Sequence, residues 1–135
     1  MSSVFANRII GRFDLGGVLM IPVEINGKST EFVFDSGASL TVINQKYIEY
    51  LKIAVDFTHR TKLFVANDKP VDAPRGIIEK IRVGSIVRNN LPIHVINFPP
   101  ESTLRGLIGM NFLQGLRFTV EMDTGVLILR EPKKK

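Results

Sequence analysis

The sequence predicts a small, mainly β domain, a barrel or a sandwich. Three observations carry this. Short runs rich in β-branched and aromatic residues recur along the chain. Turn pairs separate them at close intervals. Hardly any stretch shows helical spacing. Residues 18–25 are apolar and end at Asn26-Gly27, a strong tight-turn pair, so residues 30–34 read as the returning strand. Residues 41–43 form another short strand. Asn44 can cap a short helix through Leu51, because Tyr47, Ile48 and Leu51 fall at helical spacing. Residues 62–66 and 75–83 read as a hairpin around the turn 67–70, and Gly84-Ser85 turns the chain again. Residues 91–96 form a strand that enters a loop broken by Pro99-Pro100. A short helix over 110–114 stops at Gly115. Residues 118–122 and 126–129 form a last hairpin around Asp123-Thr124-Gly125.

The chain has 135 residues, of which 44% are hydrophobic. That supports one domain with a real core and argues against disorder. The domain spans 1–135, with its core at about 18–129 and a basic tail at 130–135. No internal repeat or linker interrupts it. With no cysteine, disulfides and thiolate metal sites are excluded. That fits a reducing compartment, and the expected location is cytoplasmic. Residues 1–7 do not read as a secretory signal, and the apolar run 18–23 is far too short to span a bilayer. The net charge is +5 from 18 basic and 13 acidic residues. Removing Lys133, Lys134 and Lys135 leaves 15 basic against 13 acidic. The charge is therefore largely a tail, with no basic-aromatic interleaving, so neither a nucleic-acid nor a membrane partner is expected.

The informative stretch is Phe32-Val33-Phe34-Asp35-Ser36-Gly37-Ala38-Ser39-Leu40-Thr41-Val42-Ile43. An acidic residue directly follows an apolar strand and precedes small residues. A carboxylate there sits partly out of water, where hydrogen bonds must hold its charge. Ser36 can donate one, and Gly37 lets the backbone approach a ligand closely. Taken alone, Asp-Ser-Gly also fits a plain turn. A second stretch, Leu104-Arg105-Gly106-Leu107-Ile108-Gly109-Met110-Asn111-Phe112-Leu113, lies far downstream. It reads as an apolar strand, a glycine and a short helix.

In that order, with a hairpin between them, the two stretches resemble the retropepsin family of aspartic proteases. That family carries Asp-Thr/Ser-Gly-Ala after a hydrophobic strand, matched by Asp35-Ser36-Gly37-Ala38. Its later hydrophobic-hydrophobic-Gly segment is matched by Leu107-Ile108-Gly109. The resemblance covers nearly the whole chain. It implies a small closed barrel with one short C-terminal helix and a flap hairpin. It also implies an aspartic endopeptidase that needs no metal or other cofactor. Asp35 is then the catalytic residue, supported by Ser36, Gly37 and Ala38. Ala66, Asn67 and Asp68 of the flap and Ile108 of the cleft are expected to meet a peptide or protein substrate. The mechanism needs two aspartates, so the resemblance implies a homodimer in which Asp35 meets its copy across a twofold axis. Terminal strands pair between subunits in the family, and residues 126–129 are apolar enough to do so.

Asp123-Thr124-Gly125 spells the short motif a second time. It lies between two apolar strands at hairpin spacing and reads as a surface turn. Two departures from the family occur together. Ser39 and Met110 stand where retroviral enzymes often carry an ion-paired aspartate and arginine, so neither charge is stranded without its mate. His59 and His94 are isolated and suggest no metal site. Phe64 and Phe112 read as core. Two other readings are a catalytically silent dimerisation or peptide-binding module of the same fold, and a basic barrel that binds nucleic acid.

Overall fold

Asn26 and Gly27 both adopt positive φ, 51° and 84°. That is the backbone of the tightest hairpin turn, whose twist matches the strands it joins. Strands β3 (Leu19–Ile25) and β4 (Lys28–Phe34) therefore pair in the register Ile25 to Lys28. The Asn26 side chain fastens this turn to the rest of the molecule. Its amide donates to the carbonyls of Leu51 and Lys52, and its Oδ1 accepts from the Lys80 N–H.

The computed structural model describes residues 6–14, 16–64 and 70–132. The remaining strands are β1 (Ala6–Ile10), β2 (Arg12–Phe13), β5 (Thr41–Asn44), β6 (Ala54–Phe64), β7 (Pro70–Val83), β8 (Ile86–Ile96), β9 (Gly106–Ile108), β10 (Arg117–Glu121) and β11 (Val126–Arg130). One short helix, α1, spans Met110–Leu113, and a 3-10 turn spans Gln45–Tyr47. Asn44 caps that turn, its Oδ1 accepting from the Lys46 N–H. No described helix is long and apolar enough to cross a membrane.

Strands β3, β4, β9, β5, β8 and β7 lie side by side in that order, and β3 also pairs with β7. That last pairing, Glu24 to Arg82 and Ile25 to Ile81, closes a six-stranded barrel. Closure removes the free edges an open sheet would leave. The barrel is filled by Ile21, Ile25, Phe32, Ile43, Ile81 and Ile108, all fully buried. Each such side chain contributes about 1.5–3 kcal/mol by leaving water.

Strands β6 and β7 run on beyond the barrel as a long hairpin. Its tip, which includes Ala66, Asn67 and Asp68, lies outside the described residues. The hairpin starts earlier than the sequence suggests, because β6 begins at Ala54. A register shift between Asp56 and Arg60 bends it. There the Asp56 carboxylate accepts from the N–H and hydroxyl of Thr58 and bonds the His59 ring.

Beside the barrel lies a three-stranded sheet in the order β1-β11-β10. The strand β1 has no counterpart in the sequence reading, which began the core near residue 18. It pairs with β11 from Ala6–Arg130 to Ile10–Val126. This corrects one expectation. Residues 126–129 cannot pair with another subunit, because β11 has β1 on one edge and β10 on the other. The same residues are buried throughout, as a central strand requires. The edges left without a neighbour among the described residues belong to β1 and β10.

Candidate active site

The strands β4 and β5 are consecutive in the chain but not neighbours in the barrel. Strand β9 lies between them, parallel to β4 and antiparallel to β5. The connection from Asp35 to Leu40 must therefore cross the end of β9, where Ile108 gives way to Gly109. Three backbone hydrogen bonds bind the crossing. The Asp35 N–H donates to the Ile108 carbonyl at 3.0 Å. The Met110 N–H donates to the Ala38 carbonyl at 2.7 Å, and the Ala38 N–H closes a turn onto the Asp35 carbonyl at 3.2 Å. Gly109 allows this closeness. A Cβ there would sit 2.5 Å from the Leu40 carbonyl oxygen and 2.9 Å from that of Ala38, well inside contact distance.

The Asp35 carboxylate is half-buried at the surface. Its Oδ1 accepts from the Gly37 N–H at 3.0 Å. Ser36 beside it is exposed, and its hydroxyl makes no hydrogen bond to the described residues. Around Asp35 the floor is apolar: a hollow of about 360 Å³ is lined by Phe13, Leu19, Val33, Phe34, Val120 and Met122. Phe34 and Phe118 meet edge to face, with ring centroids 5.1 Å apart. Phe13, Met110, Phe118 and Met122 are all exposed large apolar side chains. Asp123 stands exposed in the turn between β10 and β11.

Ile108 was expected to line the cleft. Its side chain is fully buried among the barrel residues, so it meets no substrate there. Its contribution is its carbonyl, which holds the Asp35 backbone. Phe112 is core, as its sequence context suggests.

Sequence reasoning missed Thr41 and Asn111. Thr41 is fully buried, and its hydroxyl does two tasks. It accepts from the Gly109 N–H at 3.1 Å and donates to Asn111 Oδ1 at 2.9 Å. The same Oδ1 accepts from the Thr41 N–H, and the Asn111 amide donates to the Pro92 carbonyl at 2.6 Å. Asn111 thereby ties α1 to β5 and β8 behind the Asp35 loop. A buried hydroxyl bonded to a half-buried carboxamide is costly to break on one side only. The nearest signal in the sequence is that each is polar within an apolar run.

His94 reads in the sequence as isolated, and the structure places it in a strand. It is 4% exposed in β8, and neither ring nitrogen has a hydrogen-bond partner among the described residues. Burial, and then the positive charge of Arg75, push its pKa below the ordinary histidine value. His94 is therefore held neutral.

Two outcomes follow from these groups. Thr41→Val keeps the volume but strands the Gly109 N–H, and should cost about 1–3 kcal/mol in urea unfolding. Thr41→Ser should recover most of that loss. For His94, the unfolded chain takes up a proton near pH 6.5 while the folded chain resists it. The folded state therefore loses stability as pH falls below that value, and is unaffected by this group above it. The melting temperature should drop between pH 7 and 5, and His94→Leu should flatten that drop.

The comparisons with known proteins agree with this geometry. A family model described as aspartyl protease matches residues 21–112, which contain both the Asp35 loop and the β9–α1 segment. Among solved structures, the fold is similar to that of a retropepsin-like aspartic protease from Rickettsia conorii. The TM-score is 0.71 at 22% identity, over 96% of this chain and 94% of that one. No curated protein sequence matches the chain. With the match spanning more than half of its length, the chain belongs to the aspartyl protease family, and its barrel is of the retropepsin-like kind.

Proposed function

We propose that the chain is an aspartic endopeptidase that works as a homodimer, with one Asp35 from each copy. The observation that carries this reading is the setting of Asp35. A carboxylate stands at the surface, pinned by its backbone on an apolar floor, with no second acidic side chain among the described residues that line the same hollow. Two copies facing each other supply the missing group.

Like charges a few ångströms apart do not both ionise easily, so such a pair shares a proton. The ionised carboxylate takes a proton from a water molecule, and that water attacks the scissile carbonyl. The protonated carboxyl donates to the carbonyl oxygen as it gains charge. The proton then passes to the leaving amine, and no covalent intermediate forms. The Gly37 N–H on Oδ1 helps orient the carboxylate. The free, exposed hydroxyl of Ser36 is available to the other copy. The hairpin of β6 and β7 covers the cleft and excludes water when it closes.

The contact between copies involves the apolar surface near Asp35. Phe13, Phe118 and Met122 are exposed there, and large exposed apolar groups close together mark association surfaces. The edges of β1 and β10, not those of β11, are open to a partner among the described residues. The substrate is a peptide or protein. A cytoplasmic location accords with the absence of cysteine.

Cleavage of a peptide library tests the site. Asp35→Asn should abolish cleavage and leave the melting temperature close to that of wild type. Asp123→Asn should retain full activity. Substantial activity in Asp35→Asn, or equal loss in Asp123→Asn, would move the catalytic carboxylate elsewhere.

A further inference from the structure

A second cavity, about 800 Å³, lies between the strands of the hairpin and the barrel. Leu40 forms part of its wall, at the end of the loop that begins with Asp35. A peptide lying across Asp35 beneath the hairpin therefore places a side chain within reach of it. Val55, Ile77 and Ile93 make much of the lining apolar. The polar lining residues are Asp56, His59 and Thr61 of β6, Arg75 of β7 and His94 of β8, and three of them form one row across the strands. Asp56 of β6 stands opposite Arg75 of β7, which stands opposite His94 of β8. All three line the cavity.

The three are not equally committed. Asp56 is engaged by Thr58 and His59 on its own strand, which hold its carboxylate well below the usual range. His94 is buried and neutral, with both ring nitrogens unpartnered among the described residues. Arg75 is exposed and makes no ion pair with any described residue, although Asp56 lies directly across from it. An exposed guanidinium with no ion-pair partner among the described residues, at the edge of a largely apolar cavity, matches one kind of guest above others. That guest carries a carboxylate at the end of a short apolar stem.

We infer that this cavity is a substrate subsite for an acidic side chain, glutamate before aspartate, and that Arg75 is its specificity-determining residue. The guanidinium fork binds the carboxylate. The methylenes of the guest lie on Leu40, Val55 and Ile93. Neutral His94 adds no charge, and the one carboxylate among the described lining residues, that of Asp56, is engaged by Thr58 and His59 on its own strand. This inference rests on the proteolytic reading for its view of where a peptide runs, but binding can be measured without cleavage.

The test uses the Asp35→Asn protein, which retains bound peptides uncut under either outcome. Pools of synthetic octapeptides carry Glu, Gln, Leu or Lys at one fixed position at a time. Retained peptides are identified by mass spectrometry. At one position the Glu pool should be retained about tenfold over the Gln pool, the effect of one charge-assisted contact. Adding Arg75→Gln should erase that preference, and Arg75→Glu should turn it towards Lys. A salt titration of the protein with Arg75 intact gives a second reading independent of any fold change. Retention of the Glu pool should fall with added salt while that of the Leu pool holds. The inference is overturned if no position prefers Glu, or if the preference survives Arg75→Gln. Cleavage by the wild type is scored separately. If Glu is preferred but nothing is cut, the subsite stands and the proteolytic reading falls.

Discussion

The structure depends on the insertion of β9 between β4 and β5. Two strands adjacent in the chain are held apart by a third that arrives far later, so their connection must cross its end. The Asp35 loop sits on that crossing. The Ile108 carbonyl takes the Asp35 N–H, the Ala38 carbonyl takes the Met110 N–H, and Thr41 takes the Gly109 N–H. The Asp35 loop is thus fastened from below by the segment whose own glycine makes room for it. A loop tied at both ends and in the middle holds a carboxylate within the narrow range of positions that acid–base chemistry needs.

The constraint also explains the division of the molecule. The barrel closes through β3 and β7, so its core can be rigid and dry. The long hairpin of β6 and β7 runs on from that closed body. The polar groups that break the apolar pattern follow the same logic. Thr41 and Asn111 satisfy each other behind the loop, where an unpaired group would be expensive. Arg75 is exposed at the cavity beside the hairpin and forms no ion pair among the described residues, while His94 is buried behind it with both ring nitrogens unpartnered among them. A buried polar group with its partners present secures the scaffold.

Part of this was legible in the sequence because it is local. Asn26-Gly27 dictates a hairpin whatever surrounds it, and the apolar strand running into Asp35-Ser36-Gly37 announces a constrained carboxylate. Leu107-Ile108-Gly109 could be paired with that stretch by resemblance. What escaped is decided by distant partners. Residues Asn7 and Arg8 make β1 look too polar for a strand, and only its register with β11 makes it one. The occupied edges of β11 are a property of the sheet, so residues 126–129 looked available to another subunit until both neighbours were placed. Ile108 looked like a cleft residue because its neighbours carry the motif, yet strand alternation turns its side chain inward. The Thr41–Asn111 bond spans 70 residues, and no short window contains it.

The central claim is that one active site is built from two chains. It is tested most directly by mixing wild type with rising amounts of Asp35→Asn at constant total protein, after exchange of subunits. If each site needs both carboxylates, activity falls with the square of the wild-type fraction, because every mixed pair is dead. Activity that falls only in proportion to the wild-type fraction would mean that each chain works alone. The second carboxylate would then have to lie within the chain.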